Sequence, residues 1–144
     1  MRKVFACGIV LAISFGLAGC SPTYAVYARE SSAGPELLIC DDLFEIEHID
    51  YKYPAFQAEK KVVWTSSGPA VAAPATIGPA QLPAQWITSV GPDPISNTGR
   101  LYVVVKGEGN SRVVTFDLTQ LDTESWLTND GKHFSGDCTS APGN

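Results

Sequence analysis

Apolar and polar residues alternate along much of the chain with a period of two, the spacing of a strand with one buried face. In Phe44-Glu45-Ile46-Glu47-His48 the large apolar residues hold the even positions. From Ile49 through Tyr51 to Tyr53 they hold the odd ones, with Asp50 and Lys52 between them. One extra residue reverses the facing of everything after it, so the slip at His48-Ile49 predicts a β-bulge. Pro54 cannot donate to a ladder and marks the end or the edge of this strand. A helix over 36–47 is the competing reading, but Asp41, Asp42 and Glu45 interrupt its apolar stripe. The run Lys61-Val62-Val63-Trp64-Thr65 is a second short strand candidate.

The clearest strands lie further on, at 100–106 and 111–118. They are rich in Val, Tyr, Phe and Thr, and Gly107-Glu108-Gly109-Asn110 joins them as a hairpin loop. In the second of them Val113 and Val114, then Thr115 and Phe116, put apolar groups on both faces, as in a central strand of a covered sheet. A short strand is expected at 86–90, before the turn cluster Gly91-Pro92-Asp93-Pro94. Another hairpin is expected over 123–134, turning at Asn129-Asp130-Gly131. One helical turn within 119–126, capped by Thr119, is the alternative there. The stretch 66–85 holds Pro69, Pro74, Pro79 and Pro83 among many alanines. It reads as an extended, structureless Pro/Ala-rich loop, because proline removes the N–H that a helix or central strand needs. Residues 21–35, rich in Ser, Pro, Gly and Ala, read as a flexible tether. The sum is a mainly β fold, a small antiparallel sandwich or partly closed barrel, over 36–138 with a tail at 139–144.

The first twenty residues have a different logic. Arg2 and Lys3 precede an apolar run from Val4 to Phe15, too short for a mature membrane span. Leu17-Ala18-Gly19-Cys20 follows. Charge, apolar run, small residues and cysteine in that order resemble the signal and lipobox of bacterial lipoproteins. The resemblance covers residues 1–20 alone. It implies cleavage between Gly19 and Cys20, a diacylglyceryl group on the Cys20 sulfur and anchoring to a membrane on the extracytoplasmic side. That membrane is the outer leaflet of the cytoplasmic membrane, or the outer membrane in a Gram-negative cell. Two acyl chains give stable anchoring where one does not, at about 0.8 kcal/mol per buried CH₂. Tyr24 and Tyr27 then have two readings, rings at the membrane interface or rings packed on the domain.

Cysteine usage follows from this. The chain has four cysteines. Cys7 leaves with the signal and Cys20 carries lipid, so Cys40 and Cys138 remain. In an oxidising compartment two cysteines pair in one way only. Two free thiols or a metal pair are the alternatives, and no CxxC spacing or His-Cys cluster supports a metal. Arg2 and Lys3 are the signal's only charges, so its removal takes the net charge from −5 to −7. An acidic domain is repelled by anionic headgroups and lacks the basic footprint of a nucleic-acid binder. It suits a basic protein or another envelope component as partner.

Candidate chemistry is sparse. The chain has no GxSxG, HExxH, phosphate-binding Gly-rich loop or CxxC. Asp130-Gly131 resembles the end of a calcium loop, but Trp126 and Thr128 stand where its first ligands belong. The densest charge cluster is Asp41, Asp42, Glu45, Glu47 and Asp50. Its carboxylates could bind a hard cation, perform acid–base chemistry or form a solvated face. On one strand Glu45 and Glu47 share a face opposite His48 and Asp50, unless the bulge realigns them. His48 and His133 are the sole histidines. Trp64, Trp86 and Trp126 are core residues or an exposed aromatic platform. The expected function is therefore a non-catalytic, lipid-anchored binding module without cofactor or metal. An inhibitor or immunity-type lipoprotein blocking a basic hydrolase such as lysozyme, through acidic groups near Cys40, is one alternative. An envelope enzyme using Glu47, His48 or His133 is another.

Overall fold

The computed structural model describes residues 25–42, 44–55 and 60–142. Cys20, Tyr24 and the stretch 1–19 read above as an export signal lie outside the described residues. In chain order the strands are β1 (Val26–Arg29), β2 (Glu36–Ile39), β3 (Glu45–Tyr53), β4 (Lys61–Ala72), β5 (Ala75–Ile77), β6 (Ile87–Val90), β7 (Arg100–Gly107), β8 (Asn110–Asp117), β9 (Trp126–Leu127) and β10 (His133–Phe134). They form two antiparallel five-stranded sheets, β10-β9-β1-β2-β5 and β6-β4-β3-β7-β8. The sheets pack as a sandwich, and the barrel alternative is excluded.

Alternation builds the core. The first sheet turns Val26, Ala28, Leu37, Ile39, Ile77 and Leu127 inward. The second answers with Ile46, Ile49, Tyr51, Trp64, Leu101, Val103, Val105, Val114 and Phe116. The predicted bulge is present: Ile46 pairs with Val71 and His48 with Ser67, and the register shifts between them. Ile46 and Ile49 are three apart, yet both are fully buried, so the facing of β3 changes at this irregularity, where the extra residues of the ladder lie on β4. The β7–β8 hairpin also forms as expected, turning at Glu108-Gly109 with Gly109 at φ +72°. Gly107 is required for space, because a Cβ there would lie 1.8 Å from the Glu45 carbonyl oxygen.

Five expectations change. The Pro/Ala stretch 66–85 is not a structureless loop: β4 runs through Ala72, and β5 follows. Register explains how a proline fits. Between Ser67 and Val71, β4 places Gly68, Pro69 and Ala70 opposite the single residue Glu47, so the missing N–H falls in a bulge. Trp86 lies across Gly68, where a Cβ would meet its ring at 2.4 Å, and the indole N–H donates to the Pro69 carbonyl at 2.9 Å. Pro74 stands at the corner where the chain leaves the second sheet for the first.

The tether of 21–35 is also shorter than expected. Val26, Tyr27 and Ala28 are buried in β1, which lies between β9 and β2. The tail folds too. Tyr27, Leu38 and Trp126 point away from the main core and form a second cluster with Ala141, against Phe134, Cys40 and Cys138. The first sheet is thus buried on both faces, which is why β2 reads Glu-Leu-Leu-Ile without alternation. Lastly, β8 is an edge strand and not a central one. Val114 and Phe116 face the core, while Val113 stays 38% exposed. The short helical turn is a 3-10 turn at Leu118–Gln120 capped by Asp117, with Thr119 as the residue that donates to the cap.

Cys40 and Cys138 form the disulfide, with Cα atoms 5.5 Å apart across a sequence separation of 98. The bond pins the C-terminal segment against the outer side of the first sheet. Substituting either cysteine by serine should cost about 2–5 kcal/mol in a urea titration, and a protease of broad specificity such as proteinase K should cut the C-terminal segment first. An unchanged midpoint would show that the bridge is dispensable. Gly107→Ala should lower stability by about 1–3 kcal/mol through the clash with Glu45.

Candidate functional site

Three groupings collect the polar side chains that could do chemistry. The first sits on the outer face of the second sheet. Beyond the bulge β3 turns His48, Asp50 and Lys52 outward, so His48 and Asp50 share a face with cross-strand neighbours Thr65 and Lys106. Thr65 Oγ1 donates to Asp50 Oδ1 at 2.7 Å, and Lys106 Nζ lies 3.4 Å from Oδ2. His48 Nε2 lies 2.9 Å from Oδ1, off the line of a good hydrogen bond. Asp50 is 8% exposed. Burial raises its pKa; the Thr65 bond, His48 and Lys106 together outweigh that and hold it below its ordinary value. A carboxylate so held accepts bonds and does not donate protons near neutrality. The arrangement is an ion-pair network in which the carboxylate of Asp50 is satisfied while His48 Nε2 makes no hydrogen bond.

The second grouping was not visible in the sequence. Ser125 Oγ lies 2.7 Å from His133 Nδ1 and donates to Asp122 Oδ2 at 2.7 Å. Asp122 Oδ2 is also 3.4 Å from His133 Nδ1. Residue types alone suggest a hydrolytic triad. Geometry refuses it, because a relay needs serine and carboxylate on opposite ring nitrogens and here both meet Nδ1. Asp122 has a local task instead: Oδ1 accepts from the backbone N–H of Glu124 at 2.9 Å and of Ser125 at 2.6 Å. Those bonds and the Ser125 hydroxyl lower its pKa.

The third is a polar cleft of about 230 Å³ between the β7–β8 ladder and the β9–β10 turn, lined by Arg100, Thr115, Asp117, Gln120, Thr128 and Asp130. Its two carboxylates are engaged locally. Asp117 Oδ1 accepts from the Thr119 hydroxyl and backbone N–H, which lowers its pKa. Asp130 Oδ1 accepts from Thr128, and Oδ2 pairs with Lys132 at 2.9 Å.

The remaining sequence candidates are placed as follows. Asp41 accepts from Arg112 Nε and Nη2 at 3.2 and 3.1 Å. Asp42 and Glu45 are exposed and Glu47 is half-buried, so the acidic group does not converge. Trp64, Trp86 and Trp126 are all buried, which removes the aromatic platform. Tyr27 is packed on the domain, edge-on to Phe134 with ring centroids 4.8 Å apart. Among the described residues, no three His, Cys, Asp or Glu side chains gather around a metal position, and no helix is long and apolar enough to cross a membrane.

The lowered pKa of Asp50 has a consequence for stability. A carboxylate with a depressed folded-state pKa stabilises fully above its unfolded pKa, near 4, and loses that contribution as pH falls through the folded value. Unfolding midpoints should therefore drop below about pH 4. Asp50→Asn should lower stability at neutral pH and remove part of that acid dependence, the rest belonging to Asp117, Asp122, Asp130 and Asp137. An unaltered acid profile would show that Asp50 is not stabilised as a carboxylate. No family model, no curated protein and no solved structure matches the chain.

Proposed function

We propose that this chain is a lipid-anchored lipoprotein of the bacterial cell envelope whose β-sandwich serves as a non-catalytic binding module. The observation that carries the reading is the ordered signal ending in Leu17-Ala18-Gly19-Cys20. The start of β1 at Val26 supports it, because residues 21–25 alone separate the acylated cysteine from the sandwich. At about 3.5 Å per extended residue that link reaches roughly 18 Å. The domain is held at the membrane surface without being inserted in it. The disulfide is consistent with export to an oxidising compartment. The polar groupings support binding over catalysis: Asp50, Asp117, Asp122 and Asp130 are each held by a local turn or by cross-strand bonds.

A narrower second reading is an inhibitor of a basic envelope hydrolase. One observation favours it. Glu45 and Glu108 flank an open cleft beside Phe44 and Asn110 at the β7–β8 hairpin end. A flat result against a panel of basic hydrolases, lysozyme included, removes that reading and leaves the anchor untouched.

The anchor is tested by metabolic labelling with radioactive palmitate. Wild type should be labelled and recovered in the membrane fraction, and Cys20→Ser should lose the label. Equal labelling of the two would overturn the lipobox assignment.

A further inference from the structure

We infer that the open edge of β8 is a self-association surface, on which a second copy of this chain pairs its own β8 antiparallel to extend the second sheet. An edge strand offers unpaired N–H and C=O groups to any strand that can align with them, and folded proteins normally blunt such edges. The other edges here are blunt. β5 has three residues and β10 two. β6 has four, with a register shift against β4, and runs into Gly91-Pro92. β8 differs. It has eight residues, pairs with β7 in unbroken register, and among the described residues has no ladder partner on its other side.

The usual guards are missing from β8. It has no lysine, no proline and no bulge. Its one basic residue, Arg112, is drawn to Asp41 and lies over the Phe44 ring at 5.4 Å. Its charge is therefore satisfied within the same molecule and is not presented to an incoming strand.

The edge is also self-complementary. Gly107 and Asn110 flank the two-residue turn, and a pair in that position exchanges hydrogen bonds, with every second pair doing the same. Asn110, Arg112, Val114 and Phe116 thus direct their backbone groups to β7. Ser111, Val113 and Thr115 direct theirs to the open edge. A two-fold axis at Val113 sets Val113 against Val113 of the second copy, and Ser111 against its Thr115. Each outward N–H then meets an outward C=O, about six bonds in all, and no like charges are opposed. Val113 is also one of three large apolar side chains left exposed among the described residues, at 38%. At about 3.4 Å per residue the paired edge, residues 110–116, is about 24 Å long. By itself it buries less than the roughly 1,200 Å² of a standard complex, so the dimer is weak and concentration-dependent.

The experiment uses the full-length chain purified in detergent, with Val113→Cys and Ile87→Cys compared under mild oxidation against wild type. Ile87, at 71% exposed on the opposite edge of the same sheet, is the more accessible position. Random collision therefore favours Ile87→Cys, whereas two-fold pairing favours Val113→Cys by severalfold in covalent dimer. Equal or greater cross-linking of Ile87→Cys overturns the proposal. Val113→Lys places a charge at the axis without touching the core; it should keep the wild-type circular dichroism and sediment as monomer across a concentration series in which wild type associates. Wild type that is monomeric throughout, or Val113→Lys that associates equally, also overturns it.

Discussion

The bond between Cys40 and Cys138 decides whether the first sheet can exist as a two-sided layer. Its strands have four, four, three, two and two residues. Ladders this short contribute little, and small sheets depend on what packs against them. One face meets the second sheet. The other, carrying Tyr27, Leu38 and Trp126, is covered by Ala141, with Cys40, Phe134 and Cys138 packed beside it. A free C-terminal segment has many conformations to lose on docking. Tying it to the end of β2 removes much of that cost, and two tethering contacts then hold it: Ala141 in the cluster and Trp126 Nε1–H donating to the Gly136 carbonyl at 3.1 Å; the Asp137 cap on Thr139 shapes the segment itself.

The second sheet needs no such device. β3, β4, β7 and β8 are long, and their inward residues interdigitate with those of the first sheet. Tyr51 and Trp64 fill its centre with ring centroids 4.6 Å apart. The Tyr51 hydroxyl is buried, yet it donates to the Pro35 carbonyl at 2.8 Å across the sandwich. Burial, and then the nearby Glu36 carboxylate, raise its pKa well above the ordinary value, so the phenol stays a donor. That one bond ties the two sheets through the loop between β1 and β2.

The legible part of this fold is the part written in large side chains. The bulge after Ile46 was readable because Ile49 and Tyr51 are too big to hide a change of facing. The β7–β8 hairpin was readable from Val and Tyr flanking a glycine turn, and the disulfide from counting. β4 beyond Ser67 was not readable, because Gly68, Pro69 and Ala70 carry no period of their own. Their strand character comes from the ladder with β3 and from Trp86 lying over them, both distant in sequence. β1 hid for a related reason. Four residues among serines and alanines have no visible partner until β2 and β9 are placed beside them. The tail concealed a single buried alanine. The site was less legible than the fold. Asp122, Ser125 and His133 meet only through the turn before β9, and the burial of Asp50 depends on which face the bulge assigns to it.

The two ends of the described chain converge on one region of the first sheet, and this bears on how an anchored domain would carry load. Cys40 N–H donates to the Ala25 carbonyl at 2.7 Å, so the residue just before β1 is bonded to a half-cystine. β1 is flanked by β9 and β2, and its first three residues are 1%, 5% and 0% exposed. On the proposed reading the lipid pulls on Cys20, and residues 21–25 pass that pull directly into this strand. An anchor entering through an edge strand would peel the sheet one ladder at a time. Entering through an interior strand beside a covalent bridge, it must break two ladders together and displace the C-terminal cover as well. On that reading a short link suits the placement, since it would leave little free chain between the anchor and β1. The long edge at β8 belongs to the other sheet, so the strand that would receive the anchor and the open edge occupy separate layers of the sandwich.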